Sequence, residues 1–215
     1  MAEGDSSPDY WQMICDHRDK ILAFIKETDW TEVKNKDGIR ITYKDTGQGR
    51  MFHIETELNV PPATARRYFT PGPQGLRDKF ARKNIKDFKV VHEADKYIIA
   101  HEIFAGNMIV SDRDMVCVYG GEDQCDIGAY MVHSSVEHPD CPPQPKPVRA
   151  TKHIAGQMLL RVDGDPNKCV FHGVALVDMG GMMPASMVQS FQPKKMFENA
   201  TQLKQAIANK FHEAN

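Results

Sequence analysis

VRATKHIAGQMLLRVDGDPNKCVFHGVALVD, residues 148–178, decides how this chain folds. Two extended, apolar-rich runs, Val148–Leu160 and Cys169–Asp178, flank the breaker Asp163-Gly164-Asp165-Pro166. Gly allows positive φ, Pro fixes its own φ, and Asp bonds its own backbone, so this cluster reads as a turn. Strands joined by a short turn pair antiparallel. Directly afterwards Gly180-Gly181 interrupts the chain and Pro184 opens a segment of different period, running to about His212. Met196, Ala200, Leu203, Ile207 and Phe211 recur there at three- and four-residue spacing, the mark of one apolar helix face. At ~1.5 Å per residue the segment is roughly 43 Å long. The stripe slips phase between Phe191 and Met196, where Pro193 removes a backbone donor. This predicts a kink there, or a helix that begins only near Pro193.

Upstream of this unit, extended stretches dominate. Phe88–His92 and Tyr97–Phe104 are separated by a hairpin-length connection, Arg113–Tyr119 is followed by Gly120-Gly121, and Gly128–Val136 is the next strand. Nearer the N-terminus, Thr31–Lys36 leads into Asp37-Gly38, a hairpin turn signal. Ile39, Ile41 and Tyr43 alternate with Arg40, Thr42 and Lys44, so one face of that strand is buried. Gly47-Gln48-Gly49 turns the chain into Met51–Val60, which Pro61-Pro62 stops. Ser7-Pro8 predicts a helix start, and Trp11, Ile14, Ile21, Leu22 and Ile25 carry its apolar stripe to about Thr28. Short helices are expected at Ala63–Phe69 and near Leu76–Arg82.

The order is helix, three strands, short helices, six strands, helix. No linker, repeat or low-complexity tract divides it. The expectation is one α+β domain over residues 1–215, with residues 1–9 a flexible N-terminus. About nine antiparallel strands form a curved sheet wrapped around a long C-terminal helix. Sheets of this width curl, and a curled sheet leaves interior room that side chains do not fill. An amphipathic helix across the open side makes that room an apolar cavity. Burial at ~25 cal/mol per Å² lets a lipid gain several kcal/mol there. The twelve methionines suit an adaptable lining, though composition alone favours the plainer reading that they fill gaps in a solid core.

Composition excludes other classes. With 27 Lys+Arg against 29 Asp+Glu there is no basic stripe for a nucleic acid; Arg66-Arg67 and Lys194-Lys195 are isolated pairs. No apolar run approaches the ~20 residues of a transmembrane helix. Met1–Asp9 is acidic and polar, unlike a secretory leader, so a cytoplasmic location is expected. The five cysteines, Cys15, Cys117, Cys125, Cys141 and Cys169, are odd in number and lack CxxC spacing, which reads as free thiols. His133, His138 and Cys141 match no zinc pattern. No glycine cluster has nucleotide-binding spacing. No metal, cofactor or catalytic residue is expected.

Several segments go beyond periodicity. They are Ser111-Asp112-Arg113-Asp114-Met115-Val116, Val136-Glu137-His138-Pro139 with Cys141-Pro142-Pro143 and Val148-Arg149, and Gly164-Asp165-Pro166-Asn167-Lys168. Asp178-Met179-Gly180-Gly181-Met182-Met183-Pro184 and the tail from Val188-Gln189-Ser190-Phe191 through Phe211-His212-Glu213 complete the set. In this order and spacing the chain resembles the START family, the steroidogenic acute regulatory protein-related lipid transfer domains. It looks most like the small cytosolic members of the cholesterol and bile-acid group. The resemblance is strong from about Tyr97 to Glu213 and loose before Asp29. It implies a helix-grip fold with one lipid in an internal tunnel, carried between membranes without chemistry by what is expected to be a monomer. A sterol or bile acid is the favoured ligand, with a phospholipid or fatty acid the alternative. Transient contact with a membrane surface follows from that role.

In steroid-binding members an acidic residue on one strand and an Arg beginning the next sit in the tunnel. The matching residues are Glu102 and Arg113, expected to pair and to hold the ligand's polar end. The same pair also reads as a structural ion pair away from ligand. If Arg113 faces inward, alternation puts Met115, Cys117 and Tyr119 inward too. The steroidogenic member has a second Arg where Tyr119 stands, so that contact is altered here. Ser134 and Gln157 are further polar candidates. The gate is expected at the loop Phe104–Asp112 with Phe104, Met108, Ile109 and Val110, and at the start of the closing helix with Met183, Met187, Val188 and Phe191. A rival reading makes Glu102 the general base of a cavity hydrolase or cyclase.

Overall fold

The structure, a computed structural model, describes residues 8–71, 85–106, 110–182 and 185–209, with 185–188 as backbone only. The helix expected near Leu76–Arg82 lies outside the described residues, as do Ser7 and the end of the closing helix.

Helix α1 spans Tyr10–Phe24. Its cap is Asp9 rather than Ser7, the Asp9 carboxylate accepting from the Gln12 amide at 2.9 Å. It ends at Phe24, earlier than Thr28, where the Trp30 indole donates to the Phe24 carbonyl at 2.9 Å. Strands β1 (Thr31–Lys36), β2 (Ile39–Thr46) and β3 (Gly49–Leu58) follow as a meander. The β1–β2 turn has positive φ at both central residues, Asp37 at 56° and Gly38 at 69°, matching the twist of the flanking strands. Helix α2 (Pro62–Arg66) continues into a short 3₁₀ turn at Arg67–Phe69. Then come β4 (Ile85–Glu93), β5 (Tyr97–Phe104), β6 (Arg113–Cys125), β7 (Gly128–Ser135), β8 (Val148–Arg149), β9 (Thr151–Val162) and β10 (Asp165–Asp178). Helix α3, Ala185–Ala208, closes the described chain.

The ten strands form one curved sheet in the order β1-β2-β3-β10-β9-β7-β6-β5-β4. Pairing is antiparallel throughout, except that the two-residue β8 runs parallel to the start of β6. The sheet does not close on itself: β1 and β4 remain edges. The expected count of about nine becomes ten because Val148–Leu160 divides. Val148 and Arg149 pair with Arg113 and Asp114 of β6, while from Thr151 onward the chain pairs with β10 and β7.

Two helices cover opposite faces. On the outer face α1 lays Ile14 and Ile21 across β6, β7 and β9, in a core with Val116, Val118, Tyr130, Met158 and Leu176. Gly120 and Gly156 make that approach possible: a Cβ at Gly120 would lie 2.4 Å from Ile14 Cδ1, and one at Gly156 2.7 Å from Ile21 Cδ1. Gly120-Gly121, expected to end its strand, therefore sits inside β6 as a landing place for α1. On the inner face α3 packs Ala200, Leu203, Ala206 and Ile207 against Ile39, Ile41, Ile54, Leu58 and Phe171. The helix runs unbroken through Pro193, so it does not start there. Proline deletes one bond of the ladder, and the buried stripe on its C-terminal side offsets that loss.

Candidate functional site

Alternation along β6 places Arg113, Met115, Cys117 and Tyr119 on the inner face and Val116 and Val118 under α1. The β5–β6 register sets Glu102 opposite Met115 and Phe104 opposite Arg113, so Glu102 shares that face. Met115, Cys117 and Tyr119 pack with Ala100, Met131 and Ala150.

Glu102 and Arg113 do not pair. The Tyr119 hydroxyl donates to Glu102 Oε2. Lys152 Nζ donates to the Tyr119 oxygen at 3.2 Å and stands 3.6 Å from Glu102 Oε2. Glu102 is 2% exposed and Lys152 6%, so the two charges neutralise each other inside the protein. The Tyr119 ring stacks on His133 at 5.3 Å between centroids, and His133 Nε2 lies 3.2 Å from Gln157 Nε2. One continuous polar chain thus runs from Lys152 and Glu102 through Tyr119 and His133 to Gln157.

Arg113 has a different task. Its Nε donates to the Met179 carbonyl at 2.8 Å and its Nη2 to the Gly180 carbonyl at 3.4 Å. Its Nη1 donates to the Ser111 carbonyl at 2.5 Å and to Ser111 Oγ at 2.9 Å. The guanidinium ties the exit of β10 to the entry of β6. Gly180 and Gly181, at φ 63° and 67°, bring that backbone close; a Cβ on Gly180 would lie 2.4 Å from the Arg149 carbonyl oxygen.

Lys152 is the site residue that sequence reading missed. By period two it belongs with Ile154 under α1. The β9–β10 register slips there: Leu176 faces Ile154, but Val177 faces Lys152. His153 is the extra residue of a β-bulge, which turns Lys152 to the inner face. Ser134 Oγ donates to the carbonyls of Lys152 at 3.2 Å and His153 at 3.0 Å. Ser134 therefore braces the bulge rather than facing the interior. Its neighbour Ser135 accepts from the Lys152 amide at 2.8 Å.

Between α3 and the inner face lies a cavity of 180 Å³, lined by Ile54, Phe69, Gln157, Phe171, Met196 and Leu203 among others. Of the polar candidates, Gln157 reaches its wall. A larger hollow of 480 Å³ lies on the opposite face beside His17, Lys20 and Lys44. Burying a lipid there would strip water from charged groups, so of the two hollows the inner one has the lining better suited to an apolar guest. Among the expected gate residues, Phe104 packs half-buried against the Met115–Tyr119 cluster, and Val110 is likewise half-buried. Phe191 is 65% exposed, as an outward-facing tip. Met108, Ile109 and Met183 lie outside the described residues, as do the side chains of Met187 and Val188. From α3 the cavity is walled by Met196, Asn199, Ala200 and Leu203, further along the helix than the expected gate.

A curved antiparallel sheet gripping a C-terminal helix, with a mainly apolar cavity between them, defines the helix-grip class of small-molecule binding folds. The chain belongs to the START domain family, whose family model matches residues 23–213. It is 29% identical over 203 residues to StAR-related lipid transfer protein 5 of Mus musculus, covering 90% of this chain and 93% of that protein. The Homo sapiens protein of the same name is 26% identical over 204 residues, covering 91% and 93%. The solved structure of human StAR-related lipid transfer protein 5 superposes with TM-score 0.80 at 23% identity, over 94% of this chain and 97% of that one. Human STARD10 superposes with TM-score 0.76 at 17% identity, over 98% and 84%. These relatives and the family support lipid binding and transfer in general. Among the described residues no helix is long and apolar enough to cross a membrane.

Proposed function

We propose that the chain binds one sterol or sterol-like lipid, such as a bile acid, between the curved sheet and α3. It carries that lipid between membranes through the cytoplasm, as a monomeric single domain, without transforming it. One observation carries the reading: a mainly apolar cavity whose polar side chains are Gln157 and Asn199, with Gln157 linked through His133 to a buried and charge-neutral cluster. A ligand with one hydroxyl on an apolar body matches that wall. A phospholipid headgroup would bring a charge to a cluster whose Glu102 and Lys152 already cancel. The cavity's 180 Å³ is below the roughly 300 Å³ at which sites for drug-sized ligands begin. Loading therefore involves displacement of α3, and the exposed Phe191 and Met182 are suited to entering a membrane surface while it moves. Glu102 is engaged by Tyr119 and Lys152 rather than held free as a base, which supports carriage over catalysis.

The test is lipid capture followed by native mass spectrometry, with cholesterol, a bile acid, phosphatidylcholine and a fatty acid offered together. One sterol or bile acid per chain, recovered unchanged, is the expected result. Preferential retention of phosphatidylcholine or fatty acid, or recovery of a modified lipid, would overturn the proposal. Gln157→Leu should reduce sterol retention while leaving the fold intact.

A further inference from the structure

A second cluster of polar groups lies on the outer face of the sheet, away from the lipid cavity. His53 of β3 and His172 of β10 stack at 5.3 Å with only 12° between their planes. His53 Nε2 lies 3.0 Å from His172 Nδ1. The β3–β10 register places Glu55 directly opposite His172, and one ligand atom from each of His53, Glu55 and His172 lies within 4.8 Å of the others.

The geometry points to a divalent transition-metal site here, taking Zn²⁺ through His53 Nε2, His172 Nδ1 and a Glu55 carboxylate oxygen. Two imidazoles and a carboxylate, with one position left to water, are a ligand set that suits this ion. Zinc bonds of ~2.0–2.1 Å in tetrahedral geometry set ligand nitrogens about 3.3 Å apart. The observed 3.0 Å between the two ring nitrogens requires only a small opening, which the half-exposed His172 ring can supply. His53 is 5% exposed, and its other ring nitrogen lies 3.4 Å from Thr42 Oγ1. A proton held on Nδ1 toward Thr42 leaves the Nε2 lone pair free for metal, the outer hydrogen bond common to zinc-bound histidines. The Trp30 ring also packs on His53 in a tilted contact, 5.3 Å between centroids. Arg40 Nη1 stands 4.0 Å from Glu55 Oε2.

The position gives such an ion a mechanical role. His53 adjoins Ile54, and His172 lies between Phe171 and Gly173, all three of which line the lipid cavity on the inner face. An ion joining β3 to β10 would clamp the wall of that cavity from outside.

The full chain, stripped with a chelator, is titrated with Zn²⁺ by calorimetry at pH 7.5, and separately with Co²⁺ by visible absorption. One saturable equivalent is expected. The cobalt adduct should show d–d bands without the thiolate charge-transfer that binding at the free cysteines would give. Thr42→Val should weaken binding roughly 10- to 100-fold, the cost of losing an outer hydrogen-bond partner, and His172→Asn should weaken it further. Glu55→Gln, at a half-exposed position that leaves the core intact, is the second variant if His172→Asn does not fold. Absence of a saturable equivalent, a thiolate spectrum, or wild-type affinity in His172→Asn or Glu55→Gln would overturn the assignment.

Discussion

Replacement of Lys152 by Met tests whether the bulge at His153 puts a charge where the structure shows it. Met keeps the length and apolar stem of the side chain and deletes only the ammonium. Glu102, 2% exposed, then keeps the Tyr119 hydroxyl but loses its cation at 3.6 Å. At an effective dielectric of 20, the Coulomb attraction at that separation is about 4.6 kcal/mol. Removing one member of a buried pair costs about 3–5 kcal/mol. The retained tyrosine bond offsets part of this, so the expected loss is roughly 3 kcal/mol. For a chain of this size each kcal/mol moves Tm by about 2–4 °C, which gives a drop of roughly 6–12 °C. Glu102→Gln alone should also destabilise, because it strands the lysine. The double variant should recover most of the loss, since two neutral groups of similar shape need no counter-charge. Urea denaturation followed by circular dichroism, on all four proteins, measures the coupling. A Lys152→Met cost under 1 kcal/mol, or strictly additive single losses, would refute the buried pair.

Three further outcomes follow from particular contacts. Arg113→Leu removes the donors to Met179, Gly180 and Ser111, each bond to a charged group being worth about 1.5–3 kcal/mol. Amide hydrogen exchange should rise at 178–182 and 111–113, and unchanged protection there would show that Arg113 does not tie these segments. Gly120→Ala pushes a methyl to 2.4 Å from Ile14 Cδ1 and 3.1 Å from the Lys96 carbonyl oxygen, an overpacking cost of about 1–3 kcal/mol that Ile14→Val should partly relieve. A neutral Gly120→Ala in thermal unfolding would contradict the close seating of α1. Burial also pushes His53 down to about 3 and lowers His172, so the unfolded chain takes up their protons first as pH falls. Stability should be full above about pH 6.5 and decline toward pH 3 by up to roughly 1.4 kcal/mol per pH unit from His53. His53→Gln should flatten the profile between pH 6.5 and 4.5, and an unaltered slope there would refute the assignment.

The division between what the sequence told and what it withheld has a physical origin. Strand alternation is local, so the inward set Arg113, Met115, Cys117 and Tyr119 was legible without knowing what it faced, and all four share the inner face. The Pro184–His212 stripe was legible for the same reason, and Ala200, Leu203 and Ile207 are the residues that meet the sheet. A bulge breaks this logic. One extra residue reverses every later side chain, and nothing in Thr151-Lys152-His153-Ile154 marks His153 as the extra one. The signal for it lies in Ser134 and Ser135, whose hydroxyls hold the displaced backbone from a neighbouring strand. Glycine was ambiguous in a related way. Gly120-Gly121 resembles a turn until α1 is seen to need the missing Cβ, while Asp163-Gly164 is a turn, with Gly164 at φ 78° and open space where a Cβ would lie.

The choice of partner for Glu102 follows from the same limits of local reading. Sequence proximity and family likeness both offered Arg113, which lies only two cross-strand pairs away, yet a guanidinium's planar donors match convergent backbone carbonyls as well as they match a carboxylate. The double glycine after β10 delivers two such carbonyls, from Met179 and Gly180, and Arg113 takes them. Glu102 is then left buried on β5, and the cation that meets it stands on β9, with β6 and β7 between them in the sheet. Only a curled sheet brings those strands' inner faces together. Curvature therefore does two things at once: it opens the cavity under α3, and it brings the buried charges of Glu102 and Lys152 within reach of each other.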